Sequence, residues 1–207
     1  MLTRVSHVET FRRWRDWRPR FDGDVEPTLE ETVAKIVSHE PSEAMLAGSA
    51  FHAALETAAA GEHDRFFADG YGFRLPDAEI ALPTIRELRA FKAYGDLTVT
   101  GKADCVHGRR ITDHKTTSRF DPENYLAGCQ WRFYLDLFEA DSFTWHVFEL
   151  KEDGPKSYRV SEPHVLTAHR YPELERDCAA LAGEYLEFAR QHVPADFDPI
   201  ADERAAA

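Results

Sequence analysis

The sequence predicts an α/β fold, with a mixed central β-sheet flanked by helices. The patterned segments run helix, several strands, helix, strand, helix, an order that places helices on the faces of one sheet. Hydrophobic residues make up 43% of the 207, enough for a real core at this length. The length fits one domain, or one with an appendage, and we expect a single domain over 1–207.

The first 20 residues are the most basic stretch, with Arg4, Arg12, Arg13, Arg15, Arg18 and Arg20 interleaved with Phe11, Trp14 and Trp17. Phe11, Trp14 and Arg18 share a helical face. This segment reads as a docking helix with a charged outer face. The alternative reading is a DNA-contacting element, arginine to phosphate and aromatic ring to base. Residues 21–40 suit a loop and a short helix. Pro41 and Ser42 open a helix to about Ala60, with Ser42 as N-cap and Gly61 as its stop.

From Tyr71 to Thr117 the pattern turns to strands: Ala78–Leu82, Glu87–Tyr94, Leu97–Val106 and Arg110–Lys115. Asp121 and Pro122 supply an N-cap and first-turn proline for a helix to about Phe138. Phe143–Leu150 is aromatic and β-branched, as a strand requires, and Ser157–Val160 pairs with it across Asp153, Gly154 and Pro155. A last helix begins near Pro172 and buries Leu174, Cys178, Leu181, Tyr185 and Phe188 on one face. The tail after Pro194 is expected to be loose.

The composition narrows the function classes. No apolar run is long enough to span a bilayer, and the basic N-terminus lacks the apolar stretch of a signal peptide, so a cytoplasmic protein is expected. Cys105, Cys129 and Cys178 are widely spaced, which fits reduced thiols and argues against a cysteine-built zinc site. A net charge of −12 opposes a broad DNA-coating surface but leaves room for a local basic stripe.

The richest stretch runs from Gly101-Lys102-Ala103-Asp104 to Asp113-His114-Lys115. With Gly108 and Arg109 as a two-residue turn, Asp104 and Asp113 face each other across a hairpin, their Cβ atoms roughly 5 Å apart. Like charges so placed destabilise a sheet unless a cation compensates them. Asp113 and Lys115 lie two apart and share a face. Two carboxylates and an ammonium thus converge, as metal-assisted phosphodiester hydrolysis requires. An Asp-X-Lys triplet alone is cheap: 17 Asp and 6 Lys give about half of one by chance. Glu149-Leu150-Lys151 fits the looser acid-X-lysine pattern, but no acidic hairpin partner precedes it.

Two helical pairs flank the hairpin. His52 and Glu56 lie one turn apart, downstream of Gly48, and Gln130 and Tyr134 are likewise one turn apart. Alone, the first pair is structural or exposed, and the second is a polar edge beside Leu126, Cys129, Phe133 and Leu137.

Taken in order, Gly48 to His52, Gly101 to Asp104, Asp113-His114-Lys115-Thr116 and Gln130 to Tyr134 resemble the motif set of RecB-like PD-(D/E)XK nucleases. This group includes recombination-helicase nuclease domains, CRISPR-associated RecB-like exonucleases and many phage exonucleases. The resemblance spans about residues 42–150, the expected core, with helical additions at both ends.

By that resemblance His52, Asp104 and Asp113 bind Mg2+ or Mn2+, and the His114 carbonyl adds a backbone ligand. Asp104, Asp113 and Lys115 form the catalytic set, with Glu56 in support of the ligands. Gln130 and Tyr134 position DNA or Lys115. Many relatives hold an iron–sulfur cluster on four cysteines. Here Trp14 stands where the first would fall and only Cys178 lies near the C-terminus, so no iron–sulfur cluster is expected. Packing through Trp14 and Trp17 is expected to brace the termini instead.

The implied activity is a stand-alone DNA exonuclease of recombination, repair or phage replication, with a recombination or annealing protein as a candidate partner. The alternatives are a structure-specific or CRISPR-associated endonuclease, and a non-catalytic DNA-binding module on the same fold.

Overall fold

The computed structural model describes residues 1–19, 23–38, 41–57, 65–75 and 85–201. In chain order the first elements are β1 (Leu2–Arg4), α1 (Val5–Arg15), α2 (Leu29–Val37), α3 (Glu43–Thr57), β2 (Arg65–Ala68), β3 (Tyr71–Arg74) and β4 (Ile85–Tyr94). Then come β5 (Leu97–His107), β6 (Arg110–Thr117), α4 (Pro122–Ala127), α5 (Gln130–Leu137), β7 (Ser142–Gly154), β8 (Ser157–Val160), β9 (His164–His169) and α6 (Leu174–His192). The fold is the expected mixed sheet flanked by helices. Its strand order is β1-β5-β6-β7-β8-β3-β2, with β4 against β5 and β9 against β7.

One edge of β5 pairs antiparallel with β4, from Ile85 opposite Val106 to Tyr94 opposite Leu97. The other edge is shared. Thr98 to Thr100 pair in parallel with β1, and Cys105 to His107 pair antiparallel with β6. Residues 101–104 have no strand partner on that edge. β6 meanwhile runs parallel beside β7, from Arg110 opposite Ser142 to Thr117 opposite Glu149. The sheet therefore opens between β5 and β6 just beyond their hairpin.

Two apolar clusters hold the halves. Ala47, Ala50, Phe51, Ala54 and Leu55 of α3 pack on Tyr71, Phe73, Phe148 and Val160. On the other side α1, α5 and α6 share a core with β5, β6 and β7, built on Val8, Phe133, Leu97, Val99, Ile111, Trp145 and Tyr185. Burying each such large side chain contributes about 1.5–3 kcal/mol. Asp136 is buried there at 1% exposure, and Lys92 Nζ (2.8 Å) and Tyr94 Oη (2.6 Å) donate to its carboxylate.

Local signals account for the ends of several elements. Ser42 caps α3, its Oγ accepting the Met45 N–H at 3.3 Å. A reciprocal Thr28–Glu31 capping box starts α2. Gly108 (φ +57°) is the left-handed residue of the β5–β6 turn. α6 buries Leu174, Cys178, Tyr185 and Phe188, with Leu181 packed partly against the same core.

Four expectations change. The helix from Asp121 to Phe138 is two helices, because Gly128 turns extended (ψ 155°) and the Glu9 carboxylate captures the Cys129 N–H at 2.7 Å. Residues 2–4 are a strand, using the β5 edge that β6 leaves open. The tail is anchored to Ala201: Ile200 is buried and Phe197 packs 5.6 Å from the His7 ring. The short strands β2 and β9 carry too little pattern to be read from the sequence. The expected strand Ala78–Leu82, the stop at Gly61 and the side chain of Glu56 lie outside the described residues. Among the described residues no helix is long and apolar enough to cross a membrane.

Candidate active site

The β5–β6 hairpin has the register the sequence implies. Cys105 lies opposite Thr112, Val106 opposite Ile111, and His107 opposite Arg110. Asp104 and Asp113 are the next pair along, and the ladder ends before them. In its place the His114 N–H donates to Asp104 Oδ2 at 2.8 Å. A strand residue sends its N–H and C=O to the same edge. The His114 carbonyl is thus directed toward the same opening.

Helix α3 reaches this opening because Gly48 has no side chain. A Cβ there would stand 2.8 Å from Thr116 Oγ1. The close approach brings His52 Nδ1 to 3.6 Å from Asp104 Oδ2, an electrostatic contact too long for a hydrogen bond. The His114 ring lies on the α3 side, 6.4 Å from the His52 ring and 5.7 Å from that of His146. Burial lowers its pKa to about 4, so the imidazole is neutral at physiological pH.

Asp113 and Lys115 share the opposite face, as their spacing requires. Lys115 Nζ donates to Asp113 Oδ1 at 3.1 Å and lies 3.0 Å from Oδ2. Oδ2 is nonetheless buried without a hydrogen bond of acceptable geometry. Burial pushes Asp113 up to about 7, against the pull of the Lys115 ammonium, and the Asp104 charge adds to the rise. Burial disfavours the charged lysine too, but Asp113 and Asp104 outweigh it and raise its pKa.

The glutamine–tyrosine pair divides its work. Tyr134 is 6% exposed, and its hydroxyl donates to the Lys102 carbonyl at 2.8 Å. Its ring packs under Gly101, where a Cβ would stand 3.2 Å from it. Gln130, one turn before Tyr134, instead lines a groove of 740 Å³ together with Lys115.

His52, Asp104, Asp113, His114, Lys115, Gln130 and Tyr134 are thus gathered around one split in the sheet. Among the described residues, no three His, Cys, Asp or Glu side chains form a ready-made metal cage. His52 leans on Asp104, while Asp113 holds Lys115. All three cysteines are buried free thiols. Trp14 and Phe11 bind α1 to α6, their rings 5.5 Å and 4.9 Å from that of Phe188. Trp17 lines the groove.

A residue the sequence reading did not single out is Glu9. Buried at 8% exposure, it accepts from Arg12, Arg13 and the Cys129 N–H, so it joins α1 to the start of the Gln130 helix. No sequence motif marks it, because its partner on α5 is a backbone N–H.

No family model matches the chain, and no curated protein matches it in sequence. Solved structures do share its fold. A protein from Eubacterium rectale put forward as an exonuclease aligns with TM-score 0.55 and 13% identity, over 91% of this chain and 80% of that one. The crystal structure of SSO0001 aligns with TM-score 0.51 and 13% identity, over 94% and 78%.

Proposed function

We propose that this chain is a metal-dependent deoxyribonuclease with a RecB-like PD-(D/E)XK core, acting as an exonuclease. The carrying observation is Asp113: a buried carboxylate oxygen lacking a hydrogen bond, beside Lys115, at the point where β5 and β6 part. The fold shared with the Eubacterium rectale protein supports the reading.

The residues suit a hard divalent cation. Mg2+ is usually held by one or two carboxylates, with water and substrate phosphate completing its shell, so no all-protein cage is needed. Asp104 and Asp113 are the carboxylates, and the His114 carbonyl is the backbone donor. His52 adds a nitrogen that suits Mn2+ as well. When bound, the cation polarises a phosphoryl oxygen and acidifies water.

The chain's own groups do the rest. The Lys115 ammonium, kept charged by Asp113, orients the attacking water or offsets charge growing on the phosphate. Asp104 fixes the β6 backbone through the His114 N–H. Tyr134 holds β5 at Lys102, and Gln130 faces the incoming DNA.

The test is degradation of linear and circular DNA, single- and double-stranded, with manganese, magnesium or EDTA. The expected result is metal-dependent cutting of linear DNA that Lys115→Ala abolishes. Cutting of closed circles would replace exonuclease by endonuclease. No cutting by the wild type would remove the stand-alone enzyme reading in favour of a DNA-binding module.

A further inference from the structure

We propose that the groove bounded by α1, α2 and α4 is the track of a single DNA strand leading to Lys115. In it Arg18, Lys35 and Arg119 hold phosphates, and Trp17 stacks on a base. The inference rests on the nuclease reading and names its substrate form.

Charge supports a polyanion. The chain carries −12, yet this groove is lined by six basic side chains against four acidic ones. The acidic four are engaged. Glu9 accepts from Arg12 and Arg13, Asp16 pairs with Arg15, Asp121 caps α4, and Asp24 also has a partner. By contrast Arg18, Lys35 and Arg119 are exposed and form no ion pair within 4 Å among the described residues, although Arg18 adds to the positive field around Asp16. Exposed cations that make no direct ion pair, along a groove containing Lys115, are placed to take phosphate oxygens.

Size and aromatic lining favour an unpaired strand. The volume of 740 Å³ is that of a small-ligand pocket, typically about 300–1,000 Å³, enough for a few nucleotides and too small for a double helix. Trp14 and Trp17 line it, and neither is fully buried. An indole face stacks only on a base released from its pair, and such stacking tolerates any sequence. Trp14 is occupied by Phe11 and Phe188, which leaves Trp17 as the platform.

The experiment is fluorescence anisotropy of a labelled oligothymidylate and of a labelled duplex hairpin, in EDTA and in calcium, across a salt series. Wild type, Arg18→Ala/Lys35→Ala/Arg119→Ala and Trp17→Ala are compared, with thermal melts to establish that each is folded. The wild type should prefer the single strand. The triple variant should lower the slope of log K against log salt by about 2, from about 0.7 per phosphate contact. Trp17→Ala should weaken binding about tenfold at each salt.

Unchanged binding by folded variants, equal affinity for the duplex, or no oligothymidylate binding by the wild type would each overturn the proposal. Cleavage is scored separately with Lys115→Ala. Cutting without dependence on the groove residues sinks the track and spares the nuclease. Groove-dependent binding without cutting does the reverse.

Discussion

The His114 N–H donates to Asp104 Oδ2 across the gap where β5 and β6 part, 2.8 Å from nitrogen to oxygen. One carboxylate thereby ends the ladder, fixes the edge of β6 and stays at the site. Charge and hydrogen bond can be separated. Asp104→Asn keeps an acceptor oxygen but removes the charge, and should melt near the wild type while losing DNA cutting by a hundredfold or more, roughly. Asp104→Ala leaves the partly enclosed N–H without its acceptor and should cost about 1–3 kcal/mol in addition. Melting curves and cleavage rates on the two variants check this. Equal losses of stability would mean that the hydrogen bond contributes nothing.

A cation that binds only the folded protein raises its melting temperature. Manganese at a hundred times its dissociation constant should stabilise the wild type by about 3 kcal/mol. Asp113→Asn should abolish the shift, since it removes the buried carboxylate charge beside Lys115. Differential scanning fluorimetry with manganese, magnesium and EDTA reads this without any DNA. A full shift in Asp113→Asn would place the cation elsewhere.

Glu9 makes stability depend on acid. Burial alone would raise its pKa, but Arg12, Arg13 and the Cys129 N–H hold it down, from 4.5 to about 2. A lowered folded pKa stabilises fully above the unfolded value and is lost as pH falls from 4.5 toward 2. The shift corresponds to about 3 kcal/mol. Urea titrations at pH 3 and pH 6 should show wild-type stability falling on acidification, and Glu9→Gln should flatten this part of the slope. An unaltered slope in Glu9→Gln would assign the acid loss to other carboxylates.

Gly48 sets the spacing of α3 from β6. Gly48→Ala gains up to about 1 kcal/mol of helix propensity but places a Cβ 2.8 Å from Thr116 Oγ1. Overpacking costs about 1–3 kcal/mol, so a net loss of stability is expected. Thr116→Ala in the same chain should restore it by removing the clashing oxygen. A stabilised single variant would show that Thr116 rotates away at no cost.

The sequence by itself determined the sheet class, the hairpin register at Asp104 and Asp113, and the helical faces carrying His52 and Gln130. These depend on periods of two and 3.6 residues and on a tight turn, which are local properties of the chain. It could not determine that the long helix breaks at Gly128, because the cause is the Glu9 carboxylate from α1. Nor did it separate Gln130 at the groove from Tyr134 under β5, since a helix face does not reveal what packs against it. The opening between β5 and β6 likewise accompanies β1, which takes the same edge of β5 at Thr98 to Thr100. These are contacts between segments distant in sequence, so only the tertiary structure decided them.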